Sequence, residues 1–172
     1  MQIELSVKPK SPIVIEGFPG FGLVGTITTE FLIEHLKAKS IGKIWSDKLL
    51  PLVAVHDSKI IQPLEIYFAD KENIVILHAL SSVAGLEWKI SEVLVELAKE
   101  LKVKEIISIE GVNAAEQGST NTFYYTTAKR AEAFNKIGLK PLKEGIIMGV
   151  TGALMLKAED LPLSCIFAET QS

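Results

Sequence analysis

The sequence predicts an α/β layered domain built on a mixed, largely parallel sheet. Short apolar runs typical of buried strands alternate with stretches whose apolar residues recur at helical spacing, and this alternation favours strand–helix–strand units. Between residues 48 and 69, strands follow one another without an intervening helix, so part of the sheet is expected to be antiparallel. The length of 172 residues is close to that of one domain. We therefore expect a single domain over residues 1–172.

The first predicted strand, at 13–16, leads through a glycine-rich turn into a helix at 23–37. In that helix Leu23, Ile27 and Phe31 fall at helical spacing. The helix at 86–101 is the clearest, because its apolar residues form one stripe. Further helices are predicted at 129–137 and 152–158, and further strands at 41–45, 51–55, 62–69, 73–80, 105–109, 123–126, 145–150 and 163–168.

Composition excludes several classes of partner. The net charge is -3, with 18 basic and 21 acidic residues and no block of Lys or Arg, so no nucleic-acid partner is predicted. Apolar runs stay shorter than the roughly 20 residues that span a bilayer, so no membrane association is predicted. The single cysteine, Cys165, excludes an internal disulfide framework and is expected to be an inert buried thiol. The N-terminal residues lack a signal-peptide pattern, so we expect a cytoplasmic protein.

The most distinctive motif is GFPGFGLVG, which follows the first strand. Gly20, Gly22 and Gly25 match the G-x-G-x-x-G pattern of dinucleotide-binding turns. In those turns the first glycine directly follows the strand, whereas here Phe18 and Pro19 intervene. Pro19 cannot join the strand ladder. The motif therefore argues against a dinucleotide, and no cofactor is predicted.

Two other interpretations of this motif stay open. In the first, Gly17 and its neighbours form a tight turn that needs glycine dihedrals and close packing of helix on strand. In the second, Phe18 and Phe21 are held outward as apolar anchors for another protein, as aromatic hot spots commonly are.

A second glycine pair and an acidic strand end provide further candidate site residues. Gly149 and Gly152 flank Thr151 between a predicted strand and helix, and Thr151 is a plausible N-cap. Helix N-termini at the sheet edge are places where α/β proteins bind anions. Glu110 and Gly111, at the end of the strand at 105–109, lie at the same predicted edge.

No catalytic set can be recognised in the sequence. His35, His56 and His78 are not linked by any metal-ligand spacing, so no metal site is predicted. Ser81 and Ser82 follow a buried strand but lack the G-x-S-x-G frame of a nucleophile. No catalytic residues are therefore predicted.

Three segments together resemble the PAC2 family of proteasome-assembly-chaperone-like proteins, which are common in archaea. These segments are GFPGFGLVG, the strand end IEG at 109–111, and the run GIIMGVTGALMLKA with the later LPLSCIFAET. The resemblance implies a phosphorylase/hydrolase-like three-layer α/β/α sandwich with a mixed sheet. Its matching glycines carry over as structural positions, with no catalytic residues. Family members usually continue beyond the AET strand end, so we expect a PAC2-like domain without the family's C-terminal helix and tail.

The resemblance also implies a function. Members self-assemble, and by analogy with eukaryotic relatives they help proteasome subunits associate. We therefore expect a non-enzymatic assembly-chaperone-like protein that forms a homo-oligomer and binds other proteins, with proteasome subunits among its partners. The alternative is a small-molecule-binding enzyme or sensor with a phosphorylase/hydrolase-like site at the sheet edge, near Gly20, Glu110 and Gly149.

Overall fold

The computed structural model describes residues 1–114 and 116–171. In this part of the chain a single 3-10 turn, Phe21–Leu23, precedes the first α-helix. The helices are α1 Val24–His35, α2 Glu87–Leu101, α3 Ala131–Lys136 and α4 Gly149–Lys157. The strands are β1 Gln2–Leu5, β2 Ile13–Gly17, β3 Lys39–Trp45, β4 Ala54–His56, β5 Lys59–Ile61, β6 Leu64–Ala69, β7 Ile74–Ala79, β8 Glu105–Asn113, β9 Thr122–Thr126, β10 Lys140–Pro141 and β11 Leu163–Thr170.

Nine of the described strands form one sheet in the order β1-β3-β6-β7-β2-β8-β11-β9-β10. The four central strands, β7, β2, β8 and β11, run parallel to one another. The pairs β1/β3, β3/β6, β6/β7 and β11/β9 are antiparallel. At one edge the short β10 also pairs in parallel with β9. The sheet is therefore mixed, with four parallel strands at its centre, as the sequence predicted.

Helices cover both faces of the sheet, which produces the three-layer sandwich that the resemblance implied. On one face α1 lies over β7, β2 and β8, and the Thr29 hydroxyl is 2.9 Å from His78 Nδ1. On the other face α2 packs against α4. The main apolar core lies between these two helices and the sheet, with Ile90, Leu97 and Leu154 fully buried.

The strand predicted at 145–150 is wrong. Residues 145–148 have no regular structure, and Gly149 is already the first residue of α4. The run GIIMGV is apolar, but Ile146 is 91% exposed, so this segment is not the buried strand that its composition suggested. A short apolar run without periodicity does not distinguish a strand from irregular chain or the start of a helix.

Strands β1 and β5 were not predicted from the sequence. The edge strand β1 alternates polar and apolar residues, and β5 pairs with β4 in a separate two-stranded sheet. Asp57 and Ser58 join β4 to β5 with φ values of 48° and 60°, the left-handed geometry of a tight hairpin turn. The predicted strand at 105–109 extends to Asn113 in β8, so Glu110 lies within a strand.

A buried ion pair connects α3 to the sheet. The Glu105 side chain on β8 is 3% exposed, and Arg130 Nε lies 2.7 Å from its Oε2 atom. Ser164 on β11 donates a hydrogen bond to the same carboxylate. Removing one partner of such a pair leaves a charge uncompensated in the interior.

We expect Arg130→Leu to lower the free energy of unfolding by about 2 kcal/mol, because Arg130 is itself partly exposed. Urea denaturation measures this change. The matched control is Lys136→Leu, which removes an ion pair between two exposed side chains and should have little effect. Equal losses in the two variants would contradict a structural role for the buried pair.

Candidate functional site at the carboxyl edge of the sheet

The first glycine motif brings α1 very close to the sheet. A Cβ atom on Gly17 would lie 2.7 Å from Gly25 Cα, and one on Gly25 would lie 2.6 Å from the Ile109 carbonyl oxygen. Real Cβ atoms do not approach backbone atoms so closely, and backbone at such contacts cannot easily move away. These glycines therefore allow α1 to contact β2 and β8 directly.

The turn itself contains two consecutive residues in the left-handed region. Gly22 has a φ of 61° and Leu23 a φ of 54°. Glycine adopts this conformation without steric cost, whereas leucine does so rarely. A Cβ on Gly22 would also lie 2.7 Å from Thr170 Oγ1, so the turn is packed against the end of β11.

The structure does not hold the turn's two aromatic rings outward. Phe18 is partly buried and packs against the main core. Phe21 is also only partly exposed, and its backbone lies on the sheet: a Cβ on Gly111 would be 3.0 Å from the Phe21 carbonyl carbon. Of the two interpretations of this motif, the partial burial of Phe18 and Phe21 favours the tight turn over outward-held aromatic anchors.

The second glycine pair has a different role from the one predicted. Gly149 begins α4 with a φ of 71°, and a Cβ on Gly152 would lie 2.7 Å from the Ile147 carbonyl oxygen. Thr151 is inside the helix and is not its N-cap. Its hydroxyl lies 2.7 Å from Ser108 Oγ on β8, so it connects α4 to the sheet.

Two carboxyl groups lie beside this Ser108–Thr151 pair. Glu16 on β2 is opposite Ser108 in the sheet register and is completely buried. Neither of its carboxyl oxygens has a hydrogen-bond partner among the described residues, although the Ser108 hydroxyl is near enough to favour the charged form. Glu110 lies two residues farther along β8 than Ser108, on the same face, and interacts with the Thr151 hydroxyl.

Burial controls the ionisation of this group of side chains. It raises the pKa of Glu16 from its ordinary 4.5 to about 8, and the Ser108 hydroxyl opposes this while the charge of Glu110 adds to it. Burial also raises the pKa of Glu110, against a smaller opposite effect of Thr151. The neighbouring Cys165 thiol has its pKa raised to about 12, mainly by burial, so it is an unreactive thiol.

A cavity of about 60 Å³ opens beside these groups. It lies where the neighbouring parallel strands β2 and β7 send their connections to helices on opposite faces of the sheet, which is where open α/β sheets commonly bind ligands. The residues that line it come from five places: the chain after β2 (Phe18, Pro19), the chain after β7 (Ser82, Val83, Ala84), the start of α2 (Glu87), β8 (Glu110) and the start of α4 (Gly149, Val150, Thr151).

The charges at this edge disfavour an anion or a pyrophosphate. A Cβ on Gly20 would lie 3.1 Å from Glu110 Oε1, so a carboxyl group occupies the surroundings of the first glycine of the dinucleotide-like pattern. No basic side chain is among the described residues that line the cavity. The first turn of α4 contributes backbone N–H groups, but a phosphate there would approach Glu110 and Glu87.

The outward face of α1 carries a second feature that the sequence did not reveal. The helix buries Gly25 and Thr29, whereas Leu23 immediately before it and Ile27 and Phe31 within it are exposed, at 52%, 58% and 61% of their surface. We call these three exposed side chains the α1 ridge. Its spacing of four residues was visible in the sequence, but the same spacing is typical of a core-facing stripe.

Other apolar side chains are exposed at separate places on the surface. Trp88, Met148 and Leu156 surround a shallow pocket between α2 and α4. Val55 and Ile60 are exposed on the β4–β5 hairpin. Contiguous exposed apolar surface commonly marks a site of protein association.

Two kinds of feature are absent from the described residues. No group of three or more His, Cys, Asp or Glu side chains is placed to hold a metal ion. In the same part of the chain, every helix is too short or too polar to cross a membrane.

The sequence profile of the PAC2 family matches residues 14–172. The chain belongs to the PAC2 family. An uncharacterized protein of Methanocaldococcus jannaschii is 29% identical over 154 residues, which are 88% of this PAC2 chain and 62% of that relative. The chain therefore spans less than two thirds of the length of this curated relative.

Two solved structures share the fold. Pyrococcus furiosus PbaA, described as an archaeal homolog of proteasome-assembly chaperone, is 27% identical, with a TM-score of 0.86 over 98% of this chain and 76% of PbaA. Pyrococcus furiosus PbaB, described as an archaeal proteasome activator, has a TM-score of 0.78 at 23% identity over 98% of this chain and 80% of PbaB, which shows the fold alone. PbaA is described as a chaperone homolog, which agrees with the expectation of a non-enzymatic protein.

Proposed function

We propose that this PAC2 protein is an assembly-chaperone-like protein that forms homo-oligomers through the α1 ridge and binds proteasome subunits. The α1 ridge carries the proposal, because a helix that buries glycine and threonine while exposing leucine, isoleucine and phenylalanine is poorly suited to be an outer surface in water. The description of PbaA as a homolog of proteasome-assembly chaperone supports the choice of partner. A protein with these partners would act in the cytoplasm, where proteasome subunits are made.

The geometry of α1 suits a contact between copies. The close packing at Gly17 and Gly25 leaves the helix little freedom to move, so the ridge is presented on a rigid support, as interface hot spots usually are. Phe31 is stacked on His35 at a ring distance of 5.4 Å, which extends the flat apolar surface by one turn. An interface on this helix would bury the three ridge side chains without any change in the core.

The double variant Ile27→Glu with Phe31→Glu tests the self-association. We expect the unmodified protein to be a stable oligomer by light scattering at micromolar concentration, and the variant to be a monomer with unchanged helix content by circular dichroism. Four carboxylates of two facing ridges would repel one another and would lose their hydration in the contact. The matched control is Ile137→Glu, which changes another isoleucine that is 71% exposed and lies away from α1.

Two results would contradict this part of the proposal. A monomeric unmodified protein would exclude stable self-association, and an oligomeric double variant would exclude the α1 ridge as the contact. The partner is tested separately, by mixing the protein with purified archaeal proteasome α and β subunits and following particle formation by native mass spectrometry. We expect a complex with unassembled subunits and faster ring assembly, whereas an unchanged assembly rate without any complex would contradict the chaperone role.

A further inference from the structure

We propose that the contact between copies extends from the α1 ridge of one copy onto the β4–β5 hairpin of the second copy, where Val55 and Ile60 cover the ridge. This inference rests on the proposed self-association through the α1 ridge, and it names the surface that the ridge meets. It gives a role to the hairpin, which is not part of the nine-stranded sheet.

The hairpin and α1 lie on the same face of the main sheet. Helix α1 packs on this face, where the Thr29 hydroxyl is 2.9 Å from His78 Nδ1. Glu65 is opposite His78 in the register of β6 and β7, so both side chains leave the sheet on the same side. Ile60 of the hairpin lines a cavity together with Glu65. A second copy that approaches the α1 ridge from this side therefore also meets the hairpin.

The described residues leave the apolar face of the hairpin uncovered. The hairpin is a separate two-stranded sheet, in which Val55 is opposite Ile60, and these two side chains are 69% and 60% exposed. A two-stranded hairpin on its own is only marginally stable in water, and packing against a helix stabilises it. The exposed apolar face of α1 in a second copy provides such a helix.

The α1 ridge alone is too small for a stable contact. Its three side chains are little more than half exposed, so two facing ridges would bury at most about 400 Å² of apolar surface. A specific interface buries about 1,200 Å² or more in total, of which roughly 700 Å² is apolar. In a two-fold contact Val55 and Ile60 of both copies would add roughly 250 Å², which brings the apolar area close to that requirement.

Charges beside the two surfaces are complementary. Glu30 and Glu34 lie three residues beyond two members of the α1 ridge, so they flank it, and α1 itself contains no Lys or Arg. Lys59 of the hairpin is exposed and forms no ion pair with a described residue. Asp57 in the same hairpin lies 3.5 Å from His56. The long side chain of Lys59 can reach the rim of the contact and offset the acids beside the other copy's ridge.

The double variant Val55→Glu with Ile60→Glu tests this contact. We expect its dissociation constant, measured by light scattering over a dilution series, to be about 100-fold that of the unmodified protein or higher, because the new carboxylates would lose their hydration in the contact. The matched control is Ile146→Glu with Met148→Glu, which changes two apolar side chains that are 91% and 75% exposed and lie outside both surfaces. The control should leave the dissociation constant unchanged.

Cross-linking provides a second measurement that does not depend on the stability of the glutamate variants. Copies with Ile60→Cys are mixed with copies that carry a cysteine at one of the three ridge positions, and the mixture is treated with a short bismaleimide. We expect a link from Ile60→Cys to at least one ridge position of the other copy. The native Cys165 is buried and should stay unmodified. Ile146→Cys, mixed in the same way, should give no link.

These results separate this inference from the proposed function. A monomeric unmodified protein would contradict the self-association itself and the hairpin contact with it. A hairpin variant that keeps the dissociation constant of the unmodified protein, while Ile27→Glu with Phe31→Glu is monomeric, would leave the α1 ridge as the contact and exclude the hairpin. The absence of any link between Ile60→Cys and the ridge would overturn the inference in the same way.

Discussion

Replacing Glu16 by glutamine is expected to make the protein more stable at about pH 8 by roughly 4 kcal/mol, with little change at about pH 4.5. Glutamine has nearly the shape of a protonated glutamic acid but cannot ionise. Glu16 is completely buried, and neither of its carboxyl oxygens has a hydrogen-bond partner among the described residues, so its ionised form has little compensation in the folded protein. Since a whole domain is stabilised by only about 5–15 kcal/mol, this is a large effect for one side chain.

The direction follows from the two pKa values of Glu16. In the unfolded chain the carboxyl ionises near its ordinary pKa of 4.5, whereas burial raises the folded pKa to about 8. Below pH 4.5 both states are protonated and the group contributes no pH dependence. Between pH 4.5 and 8 the folded protein keeps a proton that the unfolded chain has lost, so stability falls as the pH rises. Above pH 8 both states are ionised, and the loss remains constant.

Urea denaturation at several pH values measures this effect as the difference between the unmodified protein and Glu16→Gln. Taking a difference removes the contributions of other groups that titrate in both proteins. Glu72→Gln, at an exposed carboxyl, serves as the control and should show no comparable difference. A gain in stability that is the same at pH 4.5 and pH 8 would contradict a raised pKa at Glu16.

Substituting alanine for Gly17 is expected to lower the free energy of unfolding by about 3 kcal/mol or more. The added methyl group would lie 2.7 Å from Gly25 Cα. Gly17 lies in β2 and Gly25 in α1, and the methyl group would clash with backbone atoms. The helix therefore has to move away from the sheet to relieve the clash. That movement would also open the contact between Gly25 and the Ile109 carbonyl oxygen. Urea denaturation of the purified variant measures the loss.

Two other glycines provide matched controls. In Gly20→Ala the nearest atom to the new methyl group is the end of the Glu110 side chain, at 3.1 Å, and in Gly145→Ala it is a Leu142 methyl group, at 3.4 Å. Both neighbours are ends of flexible side chains, so we expect losses below about 1 kcal/mol. If Gly17→Ala were as stable as these two controls, close packing would not be the reason for the first glycine of the motif.

Much of the architecture follows from local patterns. The apolar stripe of α2 repeats at helical spacing, and β7 is a continuous apolar run typical of a buried strand. Both elements lie where these patterns predicted them. The strand at 145–150 failed because its residues are apolar without being buried, as Ile146 shows. Edge strand β1 was missed because its few alternating residues contain no long apolar run.

The candidate site was only partly visible in the sequence. Glu110 and Thr151 stood out because they accompany glycines, and the structure places both beside the cavity. Nothing in the sequence indicated that Glu16 belongs to the site, since one acid at the end of an apolar run does not show whether it is exposed or buried. The sequence left open whether Phe18 and Phe21 face outward, and the structure leaves both only partly exposed, with Phe18 packed against the core.

Local sequence determined the order of most helices and strands, the mixed character of the sheet and, through the glycine motifs, the family. Tertiary structure alone decided which way each side chain faces. Leu23, Ile27 and Phe31 have the spacing of a buried stripe, yet they lie outside because Gly17 and Gly25 bring α1 so close to the sheet that only small residues fit beneath it. Periodicity records the spacing of side chains along a helix, whereas the direction of burial depends on distances between elements that are far apart in the chain.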